Sequence, residues 1–177
     1  MNLLFYASAI VSVIAGILVI TRRNAMHALL YLILLFLAIA LMLFTLGAPF
    51  VAALQIIVYA GAILVLFVFA VMLLNLGPAQ EEREREWLSG GIWILPLILA
   101  AILLGLTVYA LSVPAGPGTD LLGKPVGPKE VGLSLFQKYV LGVELASLLL
   151  LAGLVSAFHL GIFLRGGGMR SDGDRTV

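Results

Sequence analysis

Cysteine is missing from this chain of 177 residues. That excludes disulfides, thiolate metal sites, iron–sulfur ligation and a cysteine nucleophile. Charge is nearly as scarce. Only 11% of residues are Asp, Glu, Lys or Arg, where soluble domains carry about a quarter. The net charge is +1, which predicts no nucleic-acid partner. Asn and Gln number three each. Thermophile proteins and membrane proteins both run low in these residues, so the scarcity does not separate the two. The first two residues, Met1 and Asn2, lack the basic side chain that opens a secretory signal. The first apolar run therefore reads as a retained helix.

Apolar side chains are abundant, at 63% of the sequence. A water-soluble fold of this length has too little interior to hide them, and lipid can receive them instead. Runs of about 20 apolar residues are long enough to cross a bilayer. Five segments qualify: 3–20, 25–46, 50–76, 92–113 and 140–164. They are continuous rather than alternating, which argues against a barrel and leaves helices. The fold class is therefore an all-α integral membrane protein of five transmembrane helices, with a membrane domain over 1–165 and a flexible polar tail over 166–177.

The connections differ in character. Thr21-Arg22-Arg23-Asn24 is a tight basic turn, with Asn24 a suitable N-cap for the second helix. Gly47-Ala48-Pro49 is short and uncharged. Glu81-Glu82-Arg83-Glu84-Arg85-Glu86 requires water. Residues 114–138 read as a long loop rich in proline and glycine. An N-terminus outside and a C-terminus inside place seven arginines inside (22, 23, 83, 85, 165, 170 and 175) and three lysines outside (124, 129 and 138). That excess favours this orientation. The odd number of unlike spans shows no inverted repeat, which weighs against a self-contained transporter.

Small residues permit close helix approach in lipid. Ser8, Ser12 and Gly16 form such a stripe on the first helix, Ala101 and Gly105 on the fourth, and Gly153, Ala157 and Gly161 on the fifth. The partner of each is either another helix of this chain or another subunit. The third segment is overlong. Its 27 residues would extend about 40 Å against a hydrocarbon core of about 30 Å. Tilt would absorb the excess, and so would a π-bulge. The centre, Tyr59-Ala60-Gly61-Ala62, is the part least braced by side chains, and it reads equally as a packing notch.

Polar groups inside the spans are few. Glu144 is the one carboxylate there, near the outer margin of the fifth helix. Gln55 and Tyr59, four residues apart, share a face of the third. His27 and His159 both lie toward the inner side, where two imidazoles are able to ligate a haem, although interfacial hydrogen bonding explains them as well. No serine–histidine–acid set, paired carboxylates or phosphate-binding glycine loop occurs in a suitable context. The sequence therefore offers no catalytic residue, and interfacial hydrogen bonding is preferred to metal ligation for the two histidines.

The run Gln55-Ile56-Ile57-Val58-Tyr59-Ala60-Gly61-Ala62-Ile63-Leu64-Val65-Leu66-Phe67, continuing to Asn75, closely resembles subunit J of the bacterial proton-pumping NADH–quinone oxidoreductase, respiratory complex I, and its mitochondrial counterpart, chain 6. Asn24-Ala25-Met26-His27-Ala28-Leu29-Leu30-Tyr31 resembles the start of that family's second helix. The stretch from Leu135 through Glu144 and Ser147 to His159 resembles its fifth. This resemblance implies a five-helix subunit of the membrane arm, in a bacterial cytoplasmic (inner) membrane and with no redox centre of its own. NADH, FMN, iron–sulfur clusters and quinone then lie in other subunits. The implied partners are the membrane-arm subunit that forms the quinone site, the small subunits A and K, the antiporter-like subunits and the lipid bilayer.

The resemblance also implies a π-bulge in the third helix at positions matching Tyr59 to Val65. On this resemblance, its interconversion with regular helix would gate a water path that couples quinone reduction to proton translocation. The gate would comprise Tyr59, Ala60, Gly61, Ala62, Val65 and Phe67, with Gln55, Tyr59 and Glu144 along the water path or relay. Some family members carry glutamate where this chain has Gln55, so here the third helix holds no proton by carboxyl chemistry. Two alternatives stand beside the gate: a passive scaffold of the membrane arm, and a subunit of a related cation/proton antiporter complex.

Overall fold

The computed structural model describes residues 2–22, 25–74, 93–112 and 125–170, with the backbone alone at residue 74 and over 163–170. Asn24, Asn75, the acidic stretch 81–86, residues 114–124 and the tail from 171 lie outside the described residues.

Every described element is helical. Helix α1 is Asn2–Thr21 and α2 is Ala25–Thr45. The third span is composite: α3 (Pro49–Leu54), a π-helical segment over Gln55–Ile63, and α4 (Leu64–Leu74). Helix α5 is Ile94–Ser112. A short helix α6 (Pro128–Leu133) continues into a second π segment, Ser134–Lys138, and the long helix α7 runs from Val140 to Arg170. Five helical stretches are long and apolar enough to cross a membrane: Asn2–Thr21, Ala25–Thr45, Pro49–Leu73, Ile94–Ser112 and Val140–Ile162.

The chain divides into two compact units, Met1–Gly127 and Pro128–Val177. In the first, α2 is the central element, touching α1, the whole third span and α5. One face of α2, Tyr31, Leu34, Ala38 and Leu41, packs into a core with Leu4, Val11 and Ala15 of α1 and Leu99, Leu103 and Ala110 of α5. Each set recurs at intervals of three, four or seven residues, the spacings that line one side of a helix. The small-residue stripe of α1 is consumed here. Ser8 is fully buried, and a Cβ at Gly16 would lie 4.0 Å from Leu35 Cδ1. For α1, the close approach is therefore to another helix of the same chain.

The turn after α2 is tied down by its backbone. Gly47 N–H donates to Phe44 O at 3.1 Å and Ala48 N–H to Leu43 O at 3.0 Å. This is a Schellman closure, and it requires the left-handed φ of 83° that Gly47 adopts. Val126 N–H donates to the Gly47 carbonyl at 2.9 Å. Pro49 then opens α3, where a missing N–H costs nothing.

Two sequence-based boundaries are corrected. Residues 128–138 are not loop. Pro128 starts a helix, with its fixed φ suited to the first position, and the helix continues to Lys138 before breaking at Tyr139 (φ −113°, ψ 29°). Nor does the backbone leave the fifth helix at Gly166, since α7 continues through the three glycines to Arg170. Glycine lowers helix propensity by about 1 kcal/mol, but extending an existing helix adds a hydrogen bond per residue without a new nucleus.

Candidate functional site

The third span enters as an ordinary α-helix. The N–H of Gln55 still points back to Ala52 O and Val51 O. Beyond it the winding loosens to i→i−5, and at the far end Leu64 N–H donates to Tyr59 O. Backbone angles at the two junctions are helical: φ −57°, ψ −42° at Gln55 and φ −69°, ψ −38° at Leu64. The backbone N–H at each junction therefore keeps a carbonyl partner, as an apolar solvent demands.

The consequence is rotational. Ala52 (5% exposed) and Leu64 (1%) are the buried residues of this span. They are twelve positions apart, so an uninterrupted α-helix would set them about 120° apart around the axis. Wider turns take in extra residues and bring Leu64 back to the side of Ala52. The partly buried Gln55, Ala60, Val68 and Val71 fall on the same side. Only the loosened winding gives the span one continuous face toward α2.

Gly61 sits inside the loosened stretch. A Cβ there would stand 3.3 Å from the carbonyl oxygen of Ile56, five residues back in the same helix. Among the described residues no other helix comes within 4 Å of that position. Any larger side chain presses on the carbonyl that the π winding brings beneath it.

The remaining candidate residues are placed as follows. Tyr59 is about half exposed, and its ring meets Phe36 of α2 edge-on, with centroids 5.5 Å apart and planes at 61°. Gln55 is partly buried, while Gly61, Ala62, Val65 and Phe67 are exposed on the side away from α2. Gln55, Tyr59, Ala60, Gly61 and Ala62 thus lie together in the π segment, with Val65 and Phe67 in the first turn of α4. Glu144 belongs to the other compact unit. It is exposed in the second turn of α7, where its backbone carbonyl accepts a 2.7 Å hydrogen bond from Ser147 Oγ.

The histidines differ in setting. His27 packs edge-on against Trp93, with centroids 5.8 Å apart, and its Nδ1 is buried without a hydrogen-bond partner. His159 is exposed on α7. Arg22 donates to Tyr31 Oη at 3.5 Å and lies 5.4 Å from the centre of that ring.

Sequence reasoning missed Phe36, Ala52 and Leu64. Nothing in composition marks one phenylalanine among many apolar neighbours. The spacing between Ala52 and Leu64 would have pointed to a non-α turn had their burial been known.

Residues 15–160 match the family of NADH-ubiquinone/plastoquinone oxidoreductase chain 6. The chain is 53% identical over 172 residues to NADH-quinone oxidoreductase subunit J of Escherichia coli (strain K12), covering 97% of this chain and 92% of that protein. It is 56% identical over 162 residues to subunit J of Pseudomonas aeruginosa, covering 91% and 96%. To the subunit J of Buchnera aphidicola subsp. Schizaphis graminum it is 44% identical over 161 residues, covering 91% and 98%. Similarity of this extent covers the turns as well as the spans, and on it the chain belongs to the chain 6 family of NADH-ubiquinone/plastoquinone oxidoreductase, together with the subunit J proteins of NADH-quinone oxidoreductase.

Proposed function

We propose that the chain couples quinone reduction to proton translocation within the membrane arm of NADH–quinone oxidoreductase by changing the winding of its third span. In this reading it carries no redox centre. NADH, FMN, iron–sulfur clusters and quinone are held by other subunits. It sits in the bacterial inner membrane, N-terminus outside and C-terminus inside, with residues 1–165 as its membrane domain. Its neighbours are the subunit that forms the quinone site, the small subunits A and K, and the antiporter-like subunits.

The observation that carries this reading is the rotational one. Ala52 and Leu64 share a face only while Gln55–Ile63 is loosely wound. Conversion to regular helix turns α4 by about 120° relative to α3. Val65 and Phe67 would swing with it. Apolar side chains that turn into or out of a narrow path decide whether water fills it, since hydrophobic constrictions gate by dewetting. The Gln55 amide and the Tyr59 hydroxyl have no hydrogen-bond partner among the described residues, which leaves both free to hold such water. Glu144 is the only carboxylate that the described spans contribute to a relay.

Gly61→Leu in the whole complex tests the gate. Leucine crowds the Ile56 carbonyl in the loose winding and favours regular helix. Protons pumped per electron should fall severalfold while quinone reduction by an artificial donor persists. Full pumping in an assembled variant overturns the gate. One observation favours a scaffold instead: Gly61 faces outward, open to a neighbouring subunit. A scaffold predicts that Gly61→Leu depletes the intact complex on native gels and leaves the pumping ratio of the remainder unchanged.

A further inference from the structure

Helix α2 has a second face. Leu29, Phe36 and Ala40 recur at intervals of seven and four residues. That places them within about 40° of one another and roughly half a turn from the core face of Tyr31, Leu34, Ala38 and Leu41. Leu29 and Ala40 are buried, yet neither belongs to the core shared with α1 and α5. Leu35 and Leu37, on either side of Phe36, pack against that core, while Phe36 does not. Its ring meets Tyr59 instead, at a separation and tilt that aromatic pairs favour. Among the described residues this is the one ring pair that joins the third span to another helix.

Tyr59 is also the residue that fixes the register. Its carbonyl accepts the Leu64 N–H and closes the last π turn. In regular helix that N–H would turn to the carbonyl of Ala60. The same change turns Tyr59 about the helix axis relative to Ala52 by tens of degrees, moving its ring on the order of several ångström. The edge-on contact with Phe36 does not survive such a shift.

We propose that Phe36 is a positioning residue that holds the third span in its loose winding through the ring of Tyr59. This rests on the reading above that the span has two windings. The register can be read directly by imaging the purified complex and sorting particles by whether Leu64 N–H meets Tyr59 O or Ala60 O. Phe36→Leu keeps the bulk and removes the ring. The regular-helix fraction should rise about threefold to tenfold, the range an aromatic pair supplies. Phe36→Tyr retains the ring and should restore the original fraction. Both are read again with Gly61→Ala present, where regular helix is already populated. An unchanged fraction for Phe36→Leu in both backgrounds overturns the assignment, and so does a Phe36→Tyr variant as shifted as the leucine one. If Phe36→Leu does not assemble, Tyr59→Leu removes the other ring and must give the same shift. Pumping measured on the same samples separates the two ideas. A shifted register with an unchanged proton-to-electron ratio leaves Phe36 in its role and removes the gate.

Discussion

The pairing of α1 with α2 and the pairing of α2 with the third span use the same central helix in opposite ways. Toward α1, small side chains let the backbones approach. Ser8 and Ala15 are wholly buried, and Gly16 lies against Leu35. Toward the third span there is little interlock. Of its membrane-crossing window 6% is buried within the chain, against 39% for α2, and no residue of the π segment is buried. On the proposed reading the difference separates frame from moving part. Where small residues dovetail, a rotation would open voids or create clashes on every turn, because packed interiors tolerate neither. A span buried at Ala52 and Leu64 and held between them by the Tyr59–Phe36 ring contact can turn without dismantling a core.

The strongest test of that contrast is Ser8→Leu. The added carbons have no space between α1 and α2, and overpacking of this kind costs about 1–3 kcal/mol or more. Loss of the intact complex on native gels is the expected result. Ser8→Ala should be nearly neutral. The hydroxyl bonds only to carbonyls of its own helix, Leu4 O at 2.8 Å and Phe5 O at 2.9 Å, and those carbonyls keep their helical partners. Full assembly of Ser8→Leu would show that the α1–α2 pair also has slack, and the contrast would fail.

An intermediate effect is expected from Gly61→Ala. The methyl group would meet Ile56 O at 3.3 Å in the loose winding, so the carbonyl must give way there. The helix preference of alanine over glycine largely cancels between two helical windings, which leaves this crowding as the driving effect. The regular-helix fraction should rise by roughly twofold or more, with a partial fall in protons pumped per electron. Gly153→Ala is the control, since a Cβ there meets nothing within 4 Å and its helix is already regular. Unchanged winding in Gly61→Ala would mean that Gly61 does not hold the π segment open.

The five spans were legible in the sequence because a bilayer imposes length and apolarity on each crossing without reference to neighbours. The three small residues beside a tyrosine, singled out in the sequence, fall within Gln55–Ile63, which is wound as π-helix. What escaped was relational. The burial of Ala52 and Leu64 depends on which face of α2 they meet, and the contact of Phe36 with Tyr59 on a rotation that no local pattern encodes. Residues 128–138 read as loop in the sequence because they end a stretch, 114–138, in which prolines and glycines cluster. Pro128 stands at a helix start, where its ring is favourable. The stripes of Ser8 and of Gly153 look alike in sequence. Only the first is filled by another helix among the described residues.

The smallest effect belongs to Ser12, and it sharpens the comparison most finely. Its hydroxyl donates to Ala9 O at 2.8 Å and lies 3.9 Å from Met42 Sδ across the helix pair. Removing it leaves no buried group unsatisfied, because the Ala9 carbonyl keeps its backbone donor. Polar contacts between membrane helices average about 0.6 kcal/mol, and a sulfur acceptor is weaker than oxygen. Ser12→Ala should therefore leave assembly and pumping within experimental error, and lower the thermal midpoint of the complex by a degree or so at most. A loss as large as that of Ser8→Leu would mean that hydroxyl bonding rather than close approach holds α1 to α2. The rigid half of the molecule would then be rigid for a different reason.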